Sequence, residues 1–137
     1  YSKHRREHVS LVFQDHNLID YLTPEENLRL VNPKADMKIL EDLGLSREES
    51  KRNIMHLSGG QRQRVAVGRA LVAPGRAILA DEPTGSLDPE MTDEVIDLLR
   101  HAAHQLGKCA IVVTHSKRVA DSADAVYTLR HKKLTKA

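Results

Sequence analysis

The chain has 137 residues, 40% of them hydrophobic and 29% charged, and a net charge of +2. That is long enough for one domain with a core. The charge is too small to argue for nucleic acid, which is not expected as a partner, and a single cysteine, Cys109, excludes an internal disulfide and a cysteine metal cluster.

In chain order, basic residues collect at both ends, in KHRREH and RHKKLTKA, and read as solvated termini. VSLVF (9–13) runs into Gln14, AILA (77–80) into Asp81 and Glu82, and AIVVT (110–114) into His115. Such short continuous apolar runs predict strands buried on both faces, hence a parallel sheet covered by helices. Ligands bind beyond the carboxyl ends of such strands, so Gln14, Asp81, Glu82 and His115 are expected along one sheet edge. Cys109 borders the third run and is expected to pack as a small hydrophobe.

Helices fill the intervals. Thr23-Pro-Glu-Glu26 is a capping box with proline at the first helical position. Asn32 and Pro33 are expected to open a second helix ending near Gly44, and Ser46 with Glu49 a short third one. Residues 20–56 thus form a small helical insert. LSGGQRQR (57–64) then places two glycines at a helix N-terminus, where bare N–H groups and the helix dipole suit an anion. Asp88-Pro89 caps a longer helix with Met91, Val95, Leu98, Leu99, Ala102 and Leu106 on one face. Gly107 ends it. His101 and His104 have a spacing that can hold a metal, but they lie on the polar face beside Glu94 and Asp97. Ser116 caps a further helix, and 125–129 read as a last strand.

Asp81 and Glu82 are adjacent at a strand end and so point to opposite sides. One can hold Mg²⁺ directly or through water; the other can orient and deprotonate a water. Pro83 is expected to keep Glu82 extended. His115 can donate to a terminal phosphate, and Gln14 can reach a metal-bound water.

The set VFQ, LSGGQ, ILADEPTGSLD and VVTH, in that order, resembles the ATP-binding subunit of ABC transporters from about residue 9 to the C-terminus. Its wording is most similar to the group serving macrolide export, lipoprotein release and peptide-antibiotic export. The resemblance implies a P-loop NTPase-like parallel sheet flanked by helices, with the helical insert 20–56 docking on membrane helices and 76–137 as the core running from Walker B to the switch histidine. It implies Gln14 as the Q-loop, touching Mg²⁺. Ser58, Gly59, Gly60 and Gln61 would sit in the signature and bind ATP held by a second ATPase subunit, the first three on its γ-phosphate. Asp81 would be the Walker B aspartate and metal ligand, Glu82 the catalytic base, Asp88 part of the interface-crossing D-loop, and His115 the switch histidine. It further implies a membrane-spanning partner and a place at the inner face of the cell membrane.

The phosphate loop G-x-x-x-x-G-K-[ST] of that family is not found. The only Gly-Lys, Gly107-Lys108, is followed by Cys109, and residue 102 is Ala. With the start at Tyr1, this leads us to expect 1–137 to be a partial ABC ATPase domain that does not bind ATP alone. With no phosphate-loop strand between them, 125–129 are expected to lie unpaired, displaced or used for dimerisation, rather than beside 110–114. Two other ATPase types fit this chain less well. A repair-type ABC ATPase needs a long coiled coil, for which 15–56 are too short, and a translation-type one carries two such units. A non-catalytic dimerisation module is the remaining alternative.

Overall fold

Two of the three apolar runs come from opposite sides of the helical insert, yet they pair. In the computed structural model of the chain, which describes residues 8–13 and 16–137, β1 (Val9–Val12), β2 (Ala77–Asp81) and β3 (Cys109–Val113) form a sheet of order β1-β2-β3. All pairs are parallel: Val9 lies opposite Ala77, and Ala77 opposite Cys109. Their carboxyl ends therefore share one edge, as expected.

The helices begin where side chains can satisfy the first N–H groups. Thr23 and Glu26 make both bonds of a capping box for α1 (Pro24–Val31). Ser46 and Glu49 do the same for α3 (Arg47–Ser50). The second helix does not open at Asn32-Pro33. Asn32 ends α1 and its Nδ2 donates to the Val72 carbonyl at 2.9 Å. Its Oδ1 accepts from the Lys34 N–H, a turn that competes with helix. Helix α2 (Lys38–Asp42) starts later, after Asp36 has accepted the Lys38 N–H at 2.9 Å.

After a 3-10 turn at Ile54–His56 come α4 (Gly59–Val72), α5 (Pro89–Gln105) and α6 (Lys117–Ser122). Helix α4 is the core of the molecule, with Val65, Ala66, Val67 and Ala70 all buried. Leu28, Leu40, Leu43 and Ile54 of the insert share one apolar cluster with it and with Val12, Ile78 and Ala80 of the sheet. On α5 the buried face is Thr92, Val95, Ile96, Leu99 and Ala102. Leu106 lies beyond the last turn and is exposed. Gly107, at φ +66°, ends the helix as expected.

The sheet is covered on one face only among the described residues. Ser10, Val12, Ile78 and Ala80 are buried, and Ala110 and Val112 pack on the same cluster. The alternate positions Leu79, Ile111 and Val113 are exposed at 38%, 55% and 62%. This corrects the expectation of strands buried on both faces. A continuous apolar run fits either case, and its cover comes from elsewhere in the chain. Cys109 belongs to the bare face, so it is exposed rather than packed.

The last strand does not join β3. β4 (Tyr127–Arg130) pairs antiparallel with β5 (Lys133–Lys136), a strand hidden in the basic tail. So 125–129 are apart from 110–114 as expected, but they are not an unpaired edge. His131 and Lys132, at φ +48° and +63°, make the two-residue turn. Every residue of both strands is exposed, so the tail is solvated as read. At the other end, 1–7 lie outside the described residues.

Candidate functional site

The carboxyl edge of the sheet gathers Asp81, Glu82 and His115. Asp81 is the last residue of β2 and is exposed. Glu82 follows with φ +48°, the left-handed region. This corrects the extended geometry expected from Pro83. The Gly85 N–H closes a turn onto the Glu82 carbonyl at 3.2 Å, while the Glu82 N–H donates to Val113 on β3 at 2.8 Å. A residue serving both must reverse the chain, and the restriction before proline disfavours only the right-handed helical region. A glutamate held there stores about 1–3 kcal/mol of strain, of the kind that clusters at working sites.

The carboxylate of Glu82 is met by the turn after β3. Its Oε1 accepts the His115 N–H at 2.7 Å, and its Oε2 accepts the Thr114 hydroxyl at 3.2 Å. The His115 ring is fully exposed, with Nε2 4.0 Å from Glu82 Oε1. It thus reaches into solvent beside the carboxylate.

Helix α4 presents its N-terminus beside Ser86 and Leu87, in the loop that follows Glu82. Ser58 Oγ accepts the Gln61 N–H, and Gln61 Oε1 accepts the Ser58 N–H. Gln61 also donates to Glu49 at 2.9 Å, which ties the signature to the insert. The N–H groups of Gly59 and Gly60 find no partner among the described residues. Around Gly59 a Cβ would meet nothing within 4 Å, whereas at Gly60 it would lie 3.3 Å from the Ser86 carbonyl. Two bare donors at the positive end of a 14-residue helix make an anion site open to an outside ligand. Asp88 accepts the Met91 N–H at 2.8 Å and caps α5. Gln14 lies outside the described residues.

Two residues at this site were not legible in the sequence. Gln63 is 1% exposed, and its Nε2 donates to the Pro83 carbonyl at 2.8 Å, fastening α4 to the turn that carries Glu82. The signal was a lone amide on an otherwise apolar face with Val67 and Ala70. Arg69 donates to the carbonyls of Asn17 (2.8 Å) and His16 (3.2 Å). Burial holds its guanidinium below the usual value. His104 does not pair with His101: it lies 2.8 Å from Asp124, and no group of three His, Cys, Asp or Glu residues suited to a metal occurs among the described residues. For Mg²⁺ the donor set still fits. Such an ion takes one or two carboxylates and fills its shell with water and phosphate oxygens, and the exposed Asp81 offers one.

These elements make up the α/β layout of the P-loop NTPase fold. The ATP-binding cassette MJ0796, in a dimeric post-hydrolysis state bound to ADP and Pi, superposes with a TM-score of 0.86 at 32% identity, covering 98% of this chain and 65% of that one. The ABC transporter family matches residues 1–85, and the chain belongs to that family. Among curated relatives, the lipoprotein-releasing system ATP-binding protein LolD of Rickettsia prowazekii is 40% identical over 135 residues, 90% of this chain and 60% of its own length. The ABC transporter ATP-binding protein YclH of Bacillus subtilis is 35% identical over 130 residues, 88% and 58% respectively. The macrolide export ATP-binding/permease protein MacB of Escherichia coli K12 is 38% identical over 136 residues, 92% and 21%. The chain thus spans about 60% or less of these relatives' lengths. No helix among the described residues is long and apolar enough to cross a membrane.

Proposed function

We propose that residues 1–137 supply the hydrolytic and signature half of an ATPase subunit that powers an ABC transporter, of the exporting, lipoprotein-releasing type. The observation carrying this is one sheet edge that holds Asp81, Glu82 and His115, in a chain that also offers a glycine helix end with two open N–H donors. In this reading Ser58, Gly59, Gly60 and Gln61 bind an ATP held by a second ATPase subunit, the first three on its γ-phosphate. Asp81, with Gln14, holds the Mg²⁺, which draws charge from the phosphates when bound. Glu82 takes a proton from water as the water oxygen bonds to the γ-phosphorus; the bond from that phosphorus to the β,γ-bridging oxygen breaks and ADP leaves. His115 donates to the γ-phosphate. Asp88 caps the helix behind a loop that crosses to the second subunit. The insert 20–56 meets a membrane-spanning partner, which puts the subunit on the cytoplasmic side of the membrane.

The reading requires a phosphate loop that 1–137 do not contain. Calorimetry with Mg-ATP should show no binding to 1–137, and micromolar binding once the chain is joined to the corresponding N-terminal segment of the LolD relative. The joined protein should hydrolyse ATP. Its Glu82→Gln variant should bind ATP and lose at least about a hundredfold in turnover, the usual share of a general base. Tight binding by 1–137 alone, or full turnover in the variant, would refute it.

A further inference from the structure

The carboxylate that acts as base in the reading above is not free at this edge; both its oxygens are occupied by the turn between β3 and α6. Oε1 takes the His115 N–H at 2.7 Å and Oε2 the Thr114 hydroxyl at 3.2 Å. The Thr114 hydroxyl is itself held. Its oxygen accepts the Ser116 N–H at 2.9 Å, which leaves its proton to be directed at Glu82. Ser116 in turn caps α6 by accepting the Val119 N–H. A hydroxyl that accepts a backbone N–H still has its own proton to donate, and the Glu82 carboxylate is the acceptor within reach.

From this geometry we infer that Thr114 is a positioning residue for Glu82: its hydroxyl sets the direction in which the carboxylate presents its oxygens. The backbone at Glu82 makes such a device necessary. A strained residue at φ +48° stays put only where its surroundings hold it. Glu82 is fastened at its N–H by Val113 and behind by Gln63 on Pro83, and its carboxylate is the one part still able to rotate. The His115 N–H alone pins one oxygen and leaves the carboxylate free to swing about it. The Thr114 hydroxyl supplies the second point. Threonine and valine have the same shape, so the hydroxyl can be removed without altering packing.

This rests on Glu82 acting as the base, so two measurements are paired. In 1–137, amide hydrogen exchange at His115 reads the clamp itself. Thr114→Val, which loses the bond to the Glu82 carboxylate together with the acceptor for the Ser116 N–H, should speed it at least about tenfold, and Thr114→Ser, which keeps both, should leave it unchanged. In the joined, ATP-hydrolysing protein, Thr114→Val should lower kcat about tenfold at unchanged KM, since orientation and not binding is lost. Thr114→Ser should restore it. Parent-like exchange, parent-like turnover or a gain in turnover in Thr114→Val each overturns the proposal. If exchange responds but Glu82→Gln hydrolyses ATP as the parent does, the clamp is real and the reading of Glu82 as base is what fails, taking the role of Thr114 with it.

Discussion

Glu82 shows how far single residues could be read. Its place beside Asp81 at a strand end, and its nearness to His115, followed from three apolar runs ending in polar groups. Its left-handed backbone did not, because it is set by a bond to Val113, distant in sequence, and by a turn closed at Gly85. Gln63 carries a prediction at the same scale. Replacing it with leucine keeps the apolar packing but leaves the buried Pro83 carbonyl without its donor. The loss should be about 1–3 kcal/mol, seen as a lower urea midpoint at unchanged slope. Gln63 was hard to read because its partner is a backbone carbonyl: the lone amide on an apolar face marks a buried polar group but not what it bonds.

At the scale of elements, caps were the most legible feature. Thr23, Ser46, Ser58, Asp88 and Ser116 all accept from the third residue of their helices. Each motif is complete within four residues, so it forms without a distant partner. Ser58→Ala should therefore cost about 1 kcal/mol, measured by denaturant unfolding. The failures are equally physical. Asn32-Pro33 has the letters of a helix start, but the Asn32 side chain is committed to Lys34 and to Val72, forty residues on. The β4–β5 turn escaped notice because His131 and Lys132 lack the usual Asn-Gly signature. Non-glycine residues at positive φ cost about 1–2 kcal/mol each. Changing His131-Lys132 to Asn-Gly should therefore strengthen the hairpin, seen as slower amide exchange across Tyr127–Lys136.

For the molecule as a whole, the fold class was legible, and the one-sided cover of the sheet was not. Burial on the second face depends on what packs there, and a strand's own residues do not record it. The bare face has a consequence in solution. Leu79, Ile111 and Val113 lie together on β2 and β3, beside the exposed Cys109. Apolar patches of this kind promote association. Light scattering of 1–137 should give a mass that rises with concentration, and Ile111→Lys with Val113→Lys should return it toward the monomer. If the parent stays monomeric at all concentrations, this expectation is wrong.

The pairing of Val9 with Ala77 also has a meaning in time. On a ribosome β1 is made before β2, its one neighbour in the sheet among the described residues, and β2 follows only after the whole insert and α4. At ordinary synthesis rates that delay is on the order of several seconds, far longer than helices and local collapse need. The insert and α4 can therefore form first, around leucines already close in sequence, before β2 can close on β1. Late closure of the sheet, rather than growth of any helix, should set the pace of folding, and the nascent chain is most exposed to misassembly during that wait.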